Sequence, residues 1–170
     1  TIFSKTSYYL ASVADSIFMY PTGIMELNGL SSTTPFFTET MKNIGIKPEI
    51  IRHGKFKAAV EPFMLTEMSA ENKAQTEILI NDIWLNILNR ISKDRSISVD
   101  SLNTLSDNLM ISMLPDLPVK TGLIDGLIYR DELKSLFAKK MNIENCDELN
   151  FVSIHQLEKT KNKSKNKIAI

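Results

Sequence analysis

The sequence contains 170 residues, of which 43% are hydrophobic and 24% are charged, and this composition excludes a disordered or low-complexity chain. Its 20 basic and 20 acidic residues give a formal net charge of zero, so no global field attracts it to nucleic acid or to an anionic membrane. The single cysteine, Cys146, excludes an intramolecular disulfide and the usual cysteine-ligated zinc site. No apolar run is long enough to span a bilayer.

The first thirty residues alternate between helical and extended patterns. Residues 8–14 carry apolar side chains four positions apart, which predicts a helix. Residues 17–20 form a short apolar run that is closed by the turn sequence Pro21-Thr22-Gly23, and they predict a buried strand. A second extended segment is predicted over residues 24–27.

The next segment predicts a helix followed by a strand. Thr34 can cap a helix whose first residue is Pro35, and Gly45 can end that helix by adopting a positive φ. Residues 49–52 then predict a strand. This order of helix, glycine and strand favours an α/β layer architecture.

The clearest helix is predicted to follow Ser69, a good N-cap residue. Lys93 and Arg95 lie near its C-terminal end, where the helix dipole favours cations. Its apolar residues recur every three to four positions, which predicts a buried stripe. The stripe consists of Ile80, Ile83, Trp84, Ile87, Leu88 and Ile91.

The C-terminal part predicts two further helices, with a loop and a strand between them. Residues 98–108 predict a short helix, and residues 123–128 predict a turn and a strand. Pro115 and Pro118 are expected to bracket a loop. A helix is predicted over residues 130–141, with Leu133, Leu136, Phe137 and Met141 pointing inward.

The end of the chain has a different composition. Residues 159–167 alternate lysine with Thr, Asn and Ser, without the interleaved aromatic side chains that a nucleic-acid surface would use. They therefore predict a solvated linker. Residues 168–170 then predict the first residues of a new strand.

Generic motifs indicate no specific chemistry. The sequence has no P-loop, no G-x-G-x-x-G, no H-E-x-x-H, no G-x-S-x-G and no calcium loop. We therefore predict no cofactor and no metal. His53, His155 and Cys146 are predicted to be exposed or structural, because none lies in a cluster that would activate it.

One lysine-containing segment, residues 53–63, is unusual. Lys57 is followed there by small and apolar residues, and a lysine acts as a general base only if burial lowers its pKa from ~10.4 to roughly 7–8. On spacing alone, exposed lysines at 55 and 57 with Glu61 as a weak surface partner are the more frequent arrangement. If Lys57 is instead buried and acts as a base, the side chains expected to surround it are Phe56, Ala58, Ala59 and Val60.

Five stretches carry a more specific signal, namely Tyr8–Asp15, Pro21–Gly23, Gly54–Phe63, Glu67–Ser69 and Gly122–Glu132. Together they resemble the signal peptide peptidase A (protease IV) family, in the N-terminal half of its long, two-part form. The similarity runs in register from about Tyr8 to Ile154. The stretches 54–63 and 122–132 are its most specific parts.

The resemblance implies a fold and a reaction. The fold is a crotonase/ClpP-like α/β fold of repeated ββα units, incomplete here because its N-terminal strands would precede Thr1. The reaction is peptide-bond hydrolysis by a Ser/Lys dyad, in which the serine attacks the scissile carbonyl and a neutral lysine takes its proton. Lys57, at the head of Lys-Ala-Ala-Val-Glu-Pro-Phe, matches the base. In the long form the C-terminal half supplies the serine.

The nucleophile pattern of the family, Ala-Ser-Gly-Gly-Tyr, is altered in this chain. When its tyrosine is aligned with Tyr8, Lys5 occupies the place of the serine, while Ser4 and Ser7 are out of register. We therefore expect half of a catalytic centre, and no peptidase activity from this chain alone.

The resemblance also implies the domain organisation and the setting. Residues 1–157 are expected to form a partial peptidase domain, and residues 158–170 a lysine-rich linker and the start of the second half. The implied partners are peptide remnants of signal sequences, the C-terminal half with its serine, and further copies in a homo-oligomer, but no nucleic acid. A membrane anchor before Thr1 would place the catalytic domain on the periplasmic or extracytoplasmic side of a bacterial membrane.

Two other functions remain open. The protein could be a non-catalytic crotonase-like assembly or peptide-binding domain, and a Ser-Gly-Gly-Tyr run downstream of Ile170 would argue against that. A crotonase-type acyl-CoA enzyme is less favoured. That class uses paired backbone N–H donors and carboxylates, and the segment around Lys57 has no part in such chemistry.

Overall fold

The chain folds into a mixed α/β structure. The computed structural model describes residues 2–51, 57–108 and 114–152. It divides into two compact units, Thr1–Leu127 and Ile128–Ile170. The α/β class predicted from the sequence is confirmed at this level.

Several predictions from the sequence fall outside the described residues. These are the boundary at 157/158, the lysine-rich linker and the strand predicted at 168–170, together with His53 and His155.

Four short strands, each of two residues, form two parallel pairs within the described part of the chain. The strands are β1 (Ile2–Phe3), β2 (Phe18–Met19), β3 (Ile24–Met25) and β4 (Gly126–Leu127). β1 pairs with β3, and β2 pairs with β4. Parallel pairing requires a crossover connection, which α1 supplies between β1 and β3. The extended segments predicted on either side of the Pro21–Gly23 turn and before the last helix are confirmed.

Helices make up about half of the described residues. They are α1 (Lys5–Ala11), α2 (Thr38–Asn43), α3 (Glu61–Met64), α4 (Ala70–Arg95), α5 (Val99–Asp107), α6 (Leu117–Lys120) and α7 (Arg130–Lys140), with 3₁₀ turns at Ala58–Val60 and Cys146–Glu148. Ser4, Ser69 and Ser98 cap α1, α4 and α5, and each accepts a hydrogen bond from the backbone N–H three residues later. The predicted long helix α4 and the predicted helices α5 and α7 are confirmed.

Helix α2 begins later than the Thr34–Pro35 sequence predicted. Its N-cap is Phe37, whose N–H donates to the carbonyl of Pro62 at 2.7 Å. A contact with a distant segment therefore sets the start of the helix, and the local capping pattern does not. Gly45 ends the helix at φ +76°, as predicted, because glycine adopts this conformation without steric cost.

The strand predicted at 49–52 is not formed by its described residues. Residues 49–51 are irregular, and the Ile51 side chain is 100% exposed. Strand formation depends on pairing and on a buried face, which a pair of isoleucines does not provide by itself.

Two predictions in the C-terminal part were also wrong. Pro118 lies in the first turn of α6 instead of in a loop, where a proline costs no helical hydrogen bond. Phe137 and Met141 of α7, predicted to point inward, are 39% and 62% exposed, whereas Ala138 between them is buried.

The core of the first unit joins α1, α4, α5 and the segment before β4. Its buried residues are Tyr8, Ile17, Met19, Met25, Leu27, Leu88, Ile91, Leu102, Leu123 and Ile124. The predicted stripe on α4 is only partly buried. Leu88 and Ile91 are inaccessible, Trp84 and Ile87 pack against the core, and Ile83 is 45% exposed.

Two of the family-like stretches meet in this core. The Tyr8 hydroxyl donates to the Leu123 carbonyl at 2.7 Å, and burial raises the pKa of this tyrosine. The Asp125 carboxylate accepts from the N–H of Ile17 at 2.7 Å and from the Arg95 guanidinium at 3.1 Å. Tyr8, Leu123 and Asp125 of these stretches therefore help to hold α1, α4 and the segment before β4 together.

Candidate active-site segment

Lys57 lies immediately before the 3₁₀ turn of residues 58–60, which runs directly into α3. Its side chain is exposed to solvent. Residues 58–60, which were expected to bury it, are half-buried at most, and Phe56 lies outside the described residues. The described chain therefore does not supply the predicted apolar wall around Lys57.

Glu61 occupies a different environment from the surface position considered for it. Its side chain is 0% exposed. One carboxylate oxygen accepts the Ser69 hydroxyl at 2.5 Å, and the other accepts the Ser69 N–H at 3.2 Å and the Asn72 amide at 2.9 Å. The carboxylate thus joins the Lys57 segment to the first turn of α4. The sequence indicated Glu61 only as a surface partner of the lysines and Ser69 only as a helix cap, and it did not single out Asn72.

An open groove of about 640 Å³ adjoins the same segment. It is lined by Thr38, Met41, Lys42, Gly45, Ile46, Lys47, Pro48, Ile50, Phe63 and Met64. The Phe63 ring stacks on that of Phe37, with 6.0 Å between the ring centroids. The Thr38 hydroxyl donates to the Leu65 carbonyl at 2.6 Å. These contacts hold α2 beside α3, so that the groove lies along the segment that Lys57 begins.

Lys5 lies at the start of α1, where the family pattern would carry a serine. Its Nζ donates to the Gly29 carbonyl at 2.6 Å and lies 5.8 Å from the centroid of the Trp84 ring. Burial lowers the pKa of this amine, and the Glu26 carboxylate partly opposes the effect. The structure therefore places at this position an amine already engaged in structural contacts.

The two nearby serines serve the helix. The Ser4 hydroxyl caps α1 by accepting from the N–H of Ser7 at 3.3 Å, and the two hydroxyls are 3.0 Å apart. The Ser7 hydroxyl also donates to the Ser4 carbonyl at 2.9 Å. Both hydroxyls are thus engaged in local contacts at the start of α1.

Of the other candidate groups, only Cys146 lies within the described residues. Cys146 is a half-buried free thiol whose Sγ lies 3.8 Å from the Ser135 hydroxyl. Among the described residues, no group of three or more His, Cys, Asp or Glu side chains is arranged to hold a metal. In the same part of the chain, no helix has both the length and the apolar character needed to cross a bilayer.

Residues 3–144 match the family model of peptidase family S49, so the chain belongs to this peptidase family. It is 37% identical over 100 residues to "Protease 4" of Haemophilus influenzae, and 31% identical over 100 residues to "Protease 4" of Salmonella typhi. Each match covers 59% of this chain and 16% of the relative.

A plant relative matches over a longer segment. "Serine protease SPPA, chloroplastic" of Arabidopsis thaliana is 23% identical over 142 residues, which are 84% of this chain and 21% of the relative. The resemblance to signal peptide peptidase A (protease IV) is confirmed. The matched segments span between 16% and 21% of the length of these relatives.

Proposed function

We propose that this chain is the N-terminal half of a two-part serine peptidase that degrades cleaved signal peptides, and that Lys57 is its general base. The observation that supports the proposal is the structural environment of Lys57 in a chain that belongs to a peptidase family. The side chain is exposed, yet its backbone belongs to a segment anchored by the buried Glu61 beside an open groove. We also propose that the parallel strand pairs belong to a crotonase/ClpP-like fold.

In the proposed reaction, the C-terminal half supplies a serine hydroxyl that attacks the scissile carbonyl. The neutral Nζ of Lys57 accepts the hydroxyl proton and then delivers a proton to the leaving amine. A lysine becomes neutral at physiological pH when burial penalises its charged form. Because the described residues leave Lys57 exposed, its cover must come from elsewhere, which favours a site completed by a second half.

The setting proposed for the whole protein follows from the family. Its substrates are peptide remnants of signal sequences, and it acts as a homo-oligomer attached to a bacterial membrane, with the catalytic domain on the periplasmic or extracytoplasmic side. Two of the relatives are bacterial proteins named "Protease 4", which supports the class of enzyme.

A second candidate is a non-catalytic assembly or peptide-binding domain. The observation that favours it is the Lys5 amine at the position of the family serine, bound to the Gly29 carbonyl. If the second half also lacked a serine, the groove beside α2 could hold a peptide without cleaving it.

Replacing Lys57 in the complete protein tests the proposed function. We expect Lys57→Ala to lower kcat by about 10²–10⁴-fold, the contribution typical of a general base. Lys73→Ala, which removes an exposed lysine from α4, is the control and should retain full activity. Undiminished cleavage of a peptide by Lys57→Ala across pH 6–9 would end this assignment.

The chain alone provides a second test. Without a serine from the other half we expect no turnover of a peptide substrate, since loss of one dyad member costs orders of magnitude in rate. Sustained turnover by the purified 170-residue chain would contradict the two-part site.

A further inference from the structure

We propose that Glu61 is a positioning residue for Lys57, and that its carboxylate fixes the direction from which the lysine enters the active site. The inference rests on the proposed function. Glu61 follows Lys57 after the single 3₁₀ turn of residues 58–60, and its N–H donates to the Ala58 carbonyl. Little backbone freedom remains between the anchored carboxylate and the lysine.

The anchor itself is strong because it is buried and bonded. Burying a carboxylate is costly unless hydrogen bonds replace its lost hydration. Here the N–H and hydroxyl of Ser69 and the amide of Asn72 all donate to it. The first turn of the 26-residue helix α4 adds a dipole that favours negative charge.

A second attachment holds the far end of the same segment. The Pro62 carbonyl accepts from the N–H of Phe37, and the Leu65 carbonyl accepts from the Thr38 hydroxyl. The segment is thus tied to α4 through the Glu61 side chain and to α2 through its backbone. Of these attachments, the Glu61 side chain is the one nearest in sequence to Lys57.

The arrangement requires a carboxylate and not only a polar side chain. A carboxylate accepts at both oxygens, whereas an amide has one accepting oxygen and one donating NH₂ group. In Glu61→Gln, the NH₂ group would face either the Ser69 N–H and the Asn72 amide, which are donors, or the Ser69 hydroxyl, which would then have to accept instead of donate. The network must then rearrange, and the backbone that carries Lys57 moves with it.

The test uses the complete protein and an activated peptide ester, whose acylation burst separates two quantities. The burst amplitude counts the competent sites, and its rate constant reports removal of the serine proton. We expect Glu61→Gln to keep the amplitude and KM but to lower the rate constant and kcat by about 10–100-fold, as a small misplacement of a catalytic group does. Glu71→Gln removes a carboxylate from the same helical turn and should match the wild type.

Three outcomes would overturn the inference. The first is a burst rate constant in Glu61→Gln that equals that of the wild type. The second is a fall in the burst amplitude of Glu61→Gln without a change in its rate constant, because that result indicates a purely structural role. If Glu61→Gln does not fold, Asn72→Ala removes one donor and keeps the carboxylate, and a wild-type rate constant in that variant is the third. An inactive Lys57→Ala combined with any of these outcomes rejects only the role of Glu61, whereas a fully active Lys57→Ala rejects the proposed function.

Discussion

The resemblance assigns catalytic positions to two lysines of this chain, Lys5 in place of the serine and Lys57 as the proposed base, and their environments in the structure differ. Lys5 is half-buried, donates to the Gly29 carbonyl at 2.6 Å and lies over the Trp84 ring. Lys57 is exposed, while the backbone that carries it is anchored by the buried Glu61. An amine with its own acceptor inside the unit serves the fold. An exposed amine on an anchored backbone is available to a site that another part of the protein completes.

The activity of the complete protein provides the largest contrast between the two lysines. Lys57→Ala should lose about 10²–10⁴-fold in kcat, because it removes the proposed base. Lys5→Met should keep kcat/KM within about threefold, because it removes contacts that belong to the fold. The measurement is kcat/KM for one peptide substrate, taken below the unfolding temperature of both variants. Equal losses would erase the distinction between the two positions.

The core beside Lys5 can be tested through stability. We expect Tyr8→Phe to lower the free energy of unfolding by about 1–2 kcal/mol, since the Leu123 carbonyl loses a buried donor. Urea unfolding of the chain, followed by the fluorescence of its single tryptophan, Trp84, measures this effect. An unchanged midpoint would show that the Tyr8 hydroxyl is dispensable for the core.

The same tyrosine predicts a dependence on alkaline pH. Burial raises the pKa of Tyr8 above its ordinary value of 10.0 in the folded chain, so the unfolded chain loses this proton first. The contribution of the protonated Tyr8 hydroxyl to the free energy of unfolding is therefore fully present below pH 10.0, and it declines as the pH rises above that value. Unfolding free energies measured on both sides of pH 10.0 should show a decline that is shallower in Tyr8→Phe. Parallel slopes for the two proteins would contradict the assignment.

The smallest expected effect is that of Lys5 on stability. Lys5→Met should lower the free energy of unfolding by about 0.5–1 kcal/mol, the range of a partly exposed cation over an aromatic ring and of an ordinary hydrogen bond. Lys73→Met, at an exposed position of α4, is the matched control and should change the stability less. If Lys5→Met were more stable than the wild type, the contacts of the Lys5 amine with Gly29 and Trp84 would not stabilise the fold.

The long helix α4 and the helices α5 and α7 could be predicted from local sequence. The caps Ser69 and Ser98 bond to N–H groups three residues away, and Gly45 needs only its own positive φ. Such signals act within one helical turn, so a linear pattern contains them. The strand predicted at 49–52 is not formed by its described residues, because strands depend on partners that a local pattern does not specify.

The sequence by itself determined the helical framework, the family and, through the resemblance, the proposal that Lys57 is a base. Only the tertiary structure decided that Lys57 is exposed, that Glu61 is buried, and that Lys5 is bound to Gly29. The physical reason is the range of the interactions. The Glu61 bonds reach residues 8 and 11 positions away, and the Lys5 bond reaches one 24 positions away. The burial of a charge is decided by which groups the folded chain brings to it.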